Sequence, residues 1–117
     1  MKRPAYTPAQ GDVVWLDFNP QAGHEQAGRR PAVILSPTAY NKKLGLALVC
    51  PVTRQAKGYP FEVALPAGIS VAGVILSDHI KSLDWIARRA ERIDKLDEPT
   101  LQAVLQRART LLTRDGA

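Results

Sequence analysis

Gly28-Arg29-Arg30-Pro31-Ala32-Val33-Ile34-Leu35-Ser36-Pro37 contains a whole strand together with its punctuation. Residues 32–35 are four consecutive apolar residues with β character, held between two prolines, the pattern of a short buried strand. Pro31 disfavours the helical region for Arg30 and holds it extended at the mouth of that strand. A long cation is thereby aimed by its backbone. Just upstream, Gly23-His24-Glu25-Gln26-Ala27 adds an imidazole and a carboxylate within a Gly-bounded loop. An acid, a histidine and two arginines at a strand entrance suit an anionic ligand.

Working outward, residues 12–18 (Asp-Val-Val-Trp-Leu-Asp-Phe) predict a first strand, preceded by a loosely held lead-in over residues 1–11. Asn19-Pro20 opens a turn, and a patternless loop runs from there to Arg30. Connections of that length are usually functional or mobile. Downstream, Thr38 to Asn41 predict one helical turn after Pro37. Strands are expected over residues 46–52, 61–65 and 71–76, and a further one from about 84 to 90. The period then changes. Leu101, Val104, Leu105, Ala108, Leu111 and Leu112 fall on one face of a helix from about 98 to 113. Asp97 is its N-cap, Pro99 lies in its first turn, and Leu96 with Leu101 forms a hydrophobic staple. Short strands followed by one terminal helix predict a mainly β (α+β) fold, a small β-barrel with a C-terminal helix, as one domain over residues 1–117.

The chain has 117 residues, enough to bury roughly 65% of the surface its unfolded form exposes. Cys50 is the only cysteine, which excludes an internal disulfide and, with its apolar neighbours, predicts a packed thiol in a reducing compartment. Met1-Lys2-Arg3-Pro4 leads into no apolar segment, and no run approaches the ~18 residues of a membrane span. A cytoplasmic protein without membrane partners is expected. The net charge is +5 and the pI about 9.7. Between Glu25 and Glu62 there is no acidic residue, yet Arg29, Arg30, Lys42, Lys43, Arg54 and Lys57 all fall there. Lys42-Lys43 reads as a solvated face; for the others a phosphate-bearing partner explains the missing carboxylates better.

His24 and His79 are far apart, and no carboxylate cluster has ligand spacing, so neither a metal site nor a cofactor is expected. There is no P-loop, dinucleotide fingerprint or nucleophile elbow. Acid–base and electrostatic work by ordinary side chains is what remains. If the second and third strands pair antiparallel, Arg30, entering one, and Thr53, leaving the other, share a rim below the Glu25 loop. A carboxylate, a guanidinium and a hydroxyl there suit phosphodiester cleavage by a ribose 2′-hydroxyl. One group takes that proton, another protonates the departing 5′ oxygen, and arginine stabilises the phosphorane. Only RNA brings such a nucleophile. Taken singly, Glu25 could be a surface charge paired with Arg29, and Arg30 and Thr53 ordinary strand-end residues. Phe18, at the start of the loop, is a candidate for stacking a base. Trp15, Phe61 and Trp85 fit core packing better, with a subunit interface as the other reading of Trp85. Asp78-His79 could read bases or support the site.

Several words occur in a telling order: Gly11 to Phe18, His24 to Pro31, Val33 to Pro37, Pro51-Val52-Thr53, Lys57 to Val63, and Ser77-Asp78-His79-Ile80-Lys81-Ser82. From about residue 10 to the final helix the chain resembles the MazF/PemK family of toxin endoribonucleases. The resemblance implies an SH3-like barrel shared with CcdB-like toxins, a homodimer, and metal-independent cleavage of single-stranded RNA at a short sequence, leaving 2′,3′-cyclic phosphate and 5′-hydroxyl ends. It implies catalytic roles for Glu25, Arg30 and Thr53, leaving open which group is base and which acid; an arginine base is disfavoured by its high intrinsic pKa. It implies that the cleavage triplet depends on the loops around residues 19–28 and 54–60; the RNA-binding candidates are Phe18, Arg29, Arg54, Lys57, His79 and Lys81. It also implies an antitoxin whose flexible tail blocks the RNA groove and with which the toxin binds DNA. In the PemK branch a loop histidine and an Arg-x-Asp pair are implicated. His24 and Asp78 match two of these as possible helpers, but Leu76 occupies the arginine's place, so the MazF-type set is the one carried over. A non-enzymatic barrel, whether a CcdB-like gyrase poison or a passive RNA binder, is the rival expectation.

Overall fold

The computed structural model describes residues 5–18 and 28–114. Among the described residues seven strands and two helices follow in the order β1 (Asp12–Asp17), β2 (Arg29–Ile34), α1 (Thr38–Leu44), β3 (Leu46–Thr53), β4 (Glu62–Ala64), β5 (Val74–Leu76), β6 (Lys81–Asp84), β7 (Glu91–Lys95) and α2 (Glu98–Thr110). All strand pairings are antiparallel. The sheet runs β4-β5-β3-β2-β1-β7, with β6 also paired to β3.

Its central strands are apolar almost throughout because both faces are buried. Successive side chains alternate between two cores. Val13, Val33, Cys50 and Val52 point to one, with Leu101 and Val104 of α2 and Leu96 before it. Val14, Leu16, Ala32, Ile34, Ala47 and Val49 point to the other, with Phe18, Leu83 and Trp85. Burial pushes the Cys50 thiol up to about 12, with the charge of Asp78 adding to the effect.

Two prolines decide where the sheet changes course. On one edge β3 pairs with β6 over residues 46–49 and with β5 over 52–53. Cys50 and Pro51 fall in the gap, so the missing Pro51 N–H forfeits no ladder bond. On the other edge the β2–β3 ladder ends at Ala32↔Pro51. Pro31, the next residue, has no N–H with which to extend it.

The described part of the segment before β1, residues 5–11, is tied down rather than loose. Gly11 N–H donates to Ile34 O (2.8 Å), Gln10 Nε2 to Leu35 O (2.7 Å), and the buried Asn41 Nδ2 to Pro8 O (2.8 Å). Asn41 accepts from Trp85 Nε1 through its backbone carbonyl (2.8 Å), so Trp85 is a core residue. Tyr6 donates its hydroxyl to the buried Asp12 carboxylate.

The strand expected over residues 84–90 is a turn. The Asp84 carboxylate accepts from Ile86 N (3.0 Å) and Ala87 N (2.9 Å), and Arg89 takes a left-handed φ of 56°. The paired strands lie on either side, as β6 and β7. The sequence of β7, Glu-Arg-Ile-Asp-Lys, has a single apolar residue because it is an edge strand, where charge discourages further pairing. α2 is capped as expected, Asp97 accepting from Thr100 N (3.2 Å), but it ends at Thr110 and leaves Leu111 and Leu112 exposed. The expected helical turn at Thr38 extends to Leu44, where Gly45 at φ 69° closes it.

Burial, followed by the bond to Asp12, raises the Tyr6 pKa above its ordinary 10.0. The folded state therefore favours the protonated phenol. Its contribution is complete below pH 10.0 and declines as the pH rises past that value. Tyr6→Phe should cost about 1–2 kcal/mol at neutral pH by depriving Asp12 of a donor. The wild-type advantage should narrow above pH 10, as urea unfolding of both proteins across pH 7–11 would show.

Candidate functional site

The β2–β3 register places Ala32 opposite Pro51 and Val33 opposite Cys50; continued two residues, it sets Arg30 opposite Thr53. Beyond Pro31 the strand ends part around a cavity of about 370 Å³, lined by Trp15, Arg29, Arg30, Thr53 and Arg54, with Val71 and Ala72 among the other walls. Sequence reasoning placed Arg30 and Thr53 on one rim, and they share it. Thr53 Oγ1 accepts from Gln55 N (3.2 Å), leaving the hydroxyl proton available to a ligand oxygen.

Glu25 and His24 lie outside the described residues. The two ends of their loop are described, and they are clamped: Phe18 N–H donates to Gly28 O (2.8 Å), continuing the β1–β2 ladder. Beside this closure, Asp17 holds Arg29 Nη1 (3.1 Å) and Arg89 Nε (2.9 Å), and Arg29 Nη2 reaches Glu91 (3.1 Å) and the Arg89 carbonyl (2.8 Å). The bond from Arg89, seconded by that from Arg29, keeps the Asp17 carboxyl below its usual range. Two acids thus take up the Arg29 charge, so this arginine braces the cavity wall. Phe18 is corrected outright. At 3% exposure its ring is inside the core, because it alternates onto the same face as Val14 and Leu16, and offers no surface for stacking.

A second cavity of about 500 Å³ adjoins the first through Thr53 and Gln55. Lys57, Tyr59, Glu62, Leu76 and His79 complete it. Leu76 presents an apolar wall here. His79 is partly exposed, with Nε2 3.9 Å from Asp78 Oδ1. Asp78 and Lys81 line neither cavity; Lys81 is held in β6 opposite Val49. Among the described residues no group of three or more His, Cys, Asp or Glu side chains could hold a metal ion.

Sequence reasoning missed several participants. Gly73, at φ 133°, lies so close to Thr53 that a Cβ would stand 2.3 Å from the Thr53 carbonyl oxygen. It is a backbone seat for the threonine. Tyr59 and Gln55 also reach the second cavity, from segments that show no pattern of their own, as does Glu62 from the expected 61–65 strand. The Lys57-Gly58-Tyr59-Pro60 turn signal was the one available clue.

Residues 9–112 match the family model for the PemK-like, MazF-like toxin of type II toxin-antitoxin systems. The Endoribonuclease toxin MazF of Escherichia coli K12 is 47% identical over 107 residues, spanning 92% of this chain and 96% of that protein. The Endoribonuclease PemK of Escherichia coli is 36% identical over 108 residues, 89% of this chain and 81% of its own. Among solved structures, MazF from Deinococcus radiodurans superimposes with a TM-score of 0.89 at 56% identity, covering 92% of this chain and 97% of that one. A MazE-MazF structure from the same organism gives 0.84 at 53%, with coverages of 92% and 97%.

Gly73→Ala puts a methyl group into the Thr53 backbone and also opposes the left-handed φ. It should cost about 2–4 kcal/mol, read as a lower urea midpoint with an unchanged m-value. Gly68→Ala, also at positive φ but with nothing within 4 Å of its Cβ, should cost less.

Proposed function

Because this chain belongs to the PemK-like, MazF-like toxins of type II toxin-antitoxin systems, we propose that it is a sequence-specific endoribonuclease of single-stranded RNA that needs no metal. The juxtaposition of Arg30 and Thr53 at the parting of β2 and β3 carries this reading; Phe18 and Gly28, which flank the segment holding Glu25, are paired. In the proposed reaction the Glu25 carboxylate accepts the proton of the ribose 2′-hydroxyl. The freed oxygen attacks the adjacent phosphorus, and the bond to the 5′ oxygen breaks. Arg30 stabilises the charge that builds on the phosphorane, and Thr53 donates its hydroxyl to a phosphoryl oxygen. The leaving 5′ oxygen takes a proton from water and Glu25 returns its own to solvent, giving 2′,3′-cyclic phosphate and 5′-hydroxyl ends. Arg54, Lys57 and His79 lie along the path a strand would take between the two cavities. The substrate carries its own nucleophile, which is why ordinary side chains suffice.

The same reading covers the partners. The chain acts as a homodimer in the cytoplasm, and a cognate antitoxin with a flexible acidic tail covers the basic groove and folds as it binds. Relatives in the family have been crystallised as MazE-MazF, and the +5 charge of this chain favours such a tail.

Purified protein incubated with a long unstructured RNA in excess EDTA should give discrete cuts with cyclic phosphate ends, and leave single-stranded DNA of matched sequence intact. Arg30→Ala and Glu25→Ala should each lower kcat by about 10²–10⁴-fold with circular dichroism unchanged. Intact RNA from folded, antitoxin-free wild type would favour a non-enzymatic barrel, either an RNA binder or a gyrase poison.

A further inference from the structure

Glu62 is the single carboxylate among the described residues that line the two cavities, and it is already occupied. Its Oε1 accepts from Lys57 N (3.1 Å) and Gly58 N (3.0 Å), and its Oε2 from Lys57 N (3.0 Å). Its own N–H donates to Tyr59 O (3.1 Å). The anchor is rigid: Glu62 opens β4 opposite Leu76 of β5, and Ser77 N–H donates to Phe61 O (3.1 Å). What it grips is exposed. Residues 57–60 are all solvent-facing, Gly58 turns through φ 78°, and Tyr59 stands 62% exposed at the cavity edge. The carboxylate holds residues 57 and 58, while the far end of the turn is tied separately, Arg107 Nε donating to Pro60 O (3.0 Å).

We propose that Glu62 is a specificity-determining positioning residue, whose grip on the 57–59 turn fixes Lys57 and Tyr59 as the wall of a cavity that reads the nucleotide beside the scissile phosphate. The proposal rests on the endoribonuclease reading above. Thr53 belongs to both cavities, so a phosphate held there delivers the neighbouring base into the second one. An exposed tyrosine offers that base a stacking face, and Lys57, Gln55 and His79 offer hydrogen-bonding groups along its edge. Selectivity requires those groups to stand still, since a wall that relaxes accepts the wrong base almost as well. A general base would need an accepting oxygen turned to the substrate; here both oxygens are turned to backbone N–H groups.

The test takes the RNA sequence that wild type cuts and a set of oligonucleotides altered singly on either side of the cut. For each, kcat and KM are measured for wild type, E62A and E62Q. E62A should lose discrimination at one position by about tenfold, ~1.4 kcal/mol, with KM carrying most of the change and the pH–rate profile keeping its shape. E62Q, which retains one accepting oxygen, should fall between, and the amide exchange of Lys57 and Gly58 should quicken in it while global stability holds. If E62A does not fold, E62Q decides alone. Wild-type discrimination in both variants would overturn the proposal. So would a uniform loss in kcat with an altered pH profile, which would make Glu62 the base. A wild type that leaves RNA uncut would instead overturn the reading beneath it, and this proposal with it.

Discussion

The antiparallel ladder between β2 and β3 is the constraint on which the rest depends. Its register sets which apolar residues of the two strands face α2 and which face Trp85, because both faces are buried and a shift by one would exchange the two sets. The same register, carried past its last pair, brings Arg30 and Thr53 together. Core and site are therefore not separate achievements of the fold. Where the ladder has partners it builds the core; where Pro31 ends it, the strands part and a charged cavity opens.

Charge is divided with similar economy. Asp17 and Glu91 take up Arg29 and Arg89 at the closed base of the loop, and Glu62 is taken up by backbone N–H groups at the 57–58 turn. The acids near the site thus hold architecture. The described side chains that face the cavities are mainly cationic or neutral, among them Arg30, Arg54, Lys57, Thr53 and Gln55. An electropositive surface of this kind attracts a polyanion and raises its encounter rate, and the braces keep it from collapsing onto its own carboxylates.

Much of the fold was legible in the residues. The apolar runs at 32–35 and 46–52, and the helical stripe with its Asp97 cap, carried local signals strong enough to survive in the structure. The failures have two causes. β7 reads as polar because its contribution is a backbone ladder to β1, and Trp85-Ile86 reads as strand although Asp84 bends it into a turn. Tertiary pairing and an Asx turn outweighed hydropathy in both places. Residues 8–11 of the lead-in looked loose because their partners, too, are distant in sequence. Their hold comes from bonds to Ile34, Leu35 and Asn41, some 23 to 33 residues away.

The site divides along the same line. Residue type and order alone offered Arg30 and Thr53 as candidates, since cations without nearby acids and a strand-end hydroxyl are local facts, and the two line one cavity. Local pattern could not assign Phe18 to the core, withdraw Arg29 into an ion cluster, or place Gly73 against Thr53. Each depends on what the chain brings opposite that residue: a core face, a carboxylate from β1, a backbone carbonyl from β3. Sequence determines which groups are present and what each prefers locally. Only the tertiary structure decides which of them meet, because contacts across tens of residues are set by sheet register and by the burial that register makes possible.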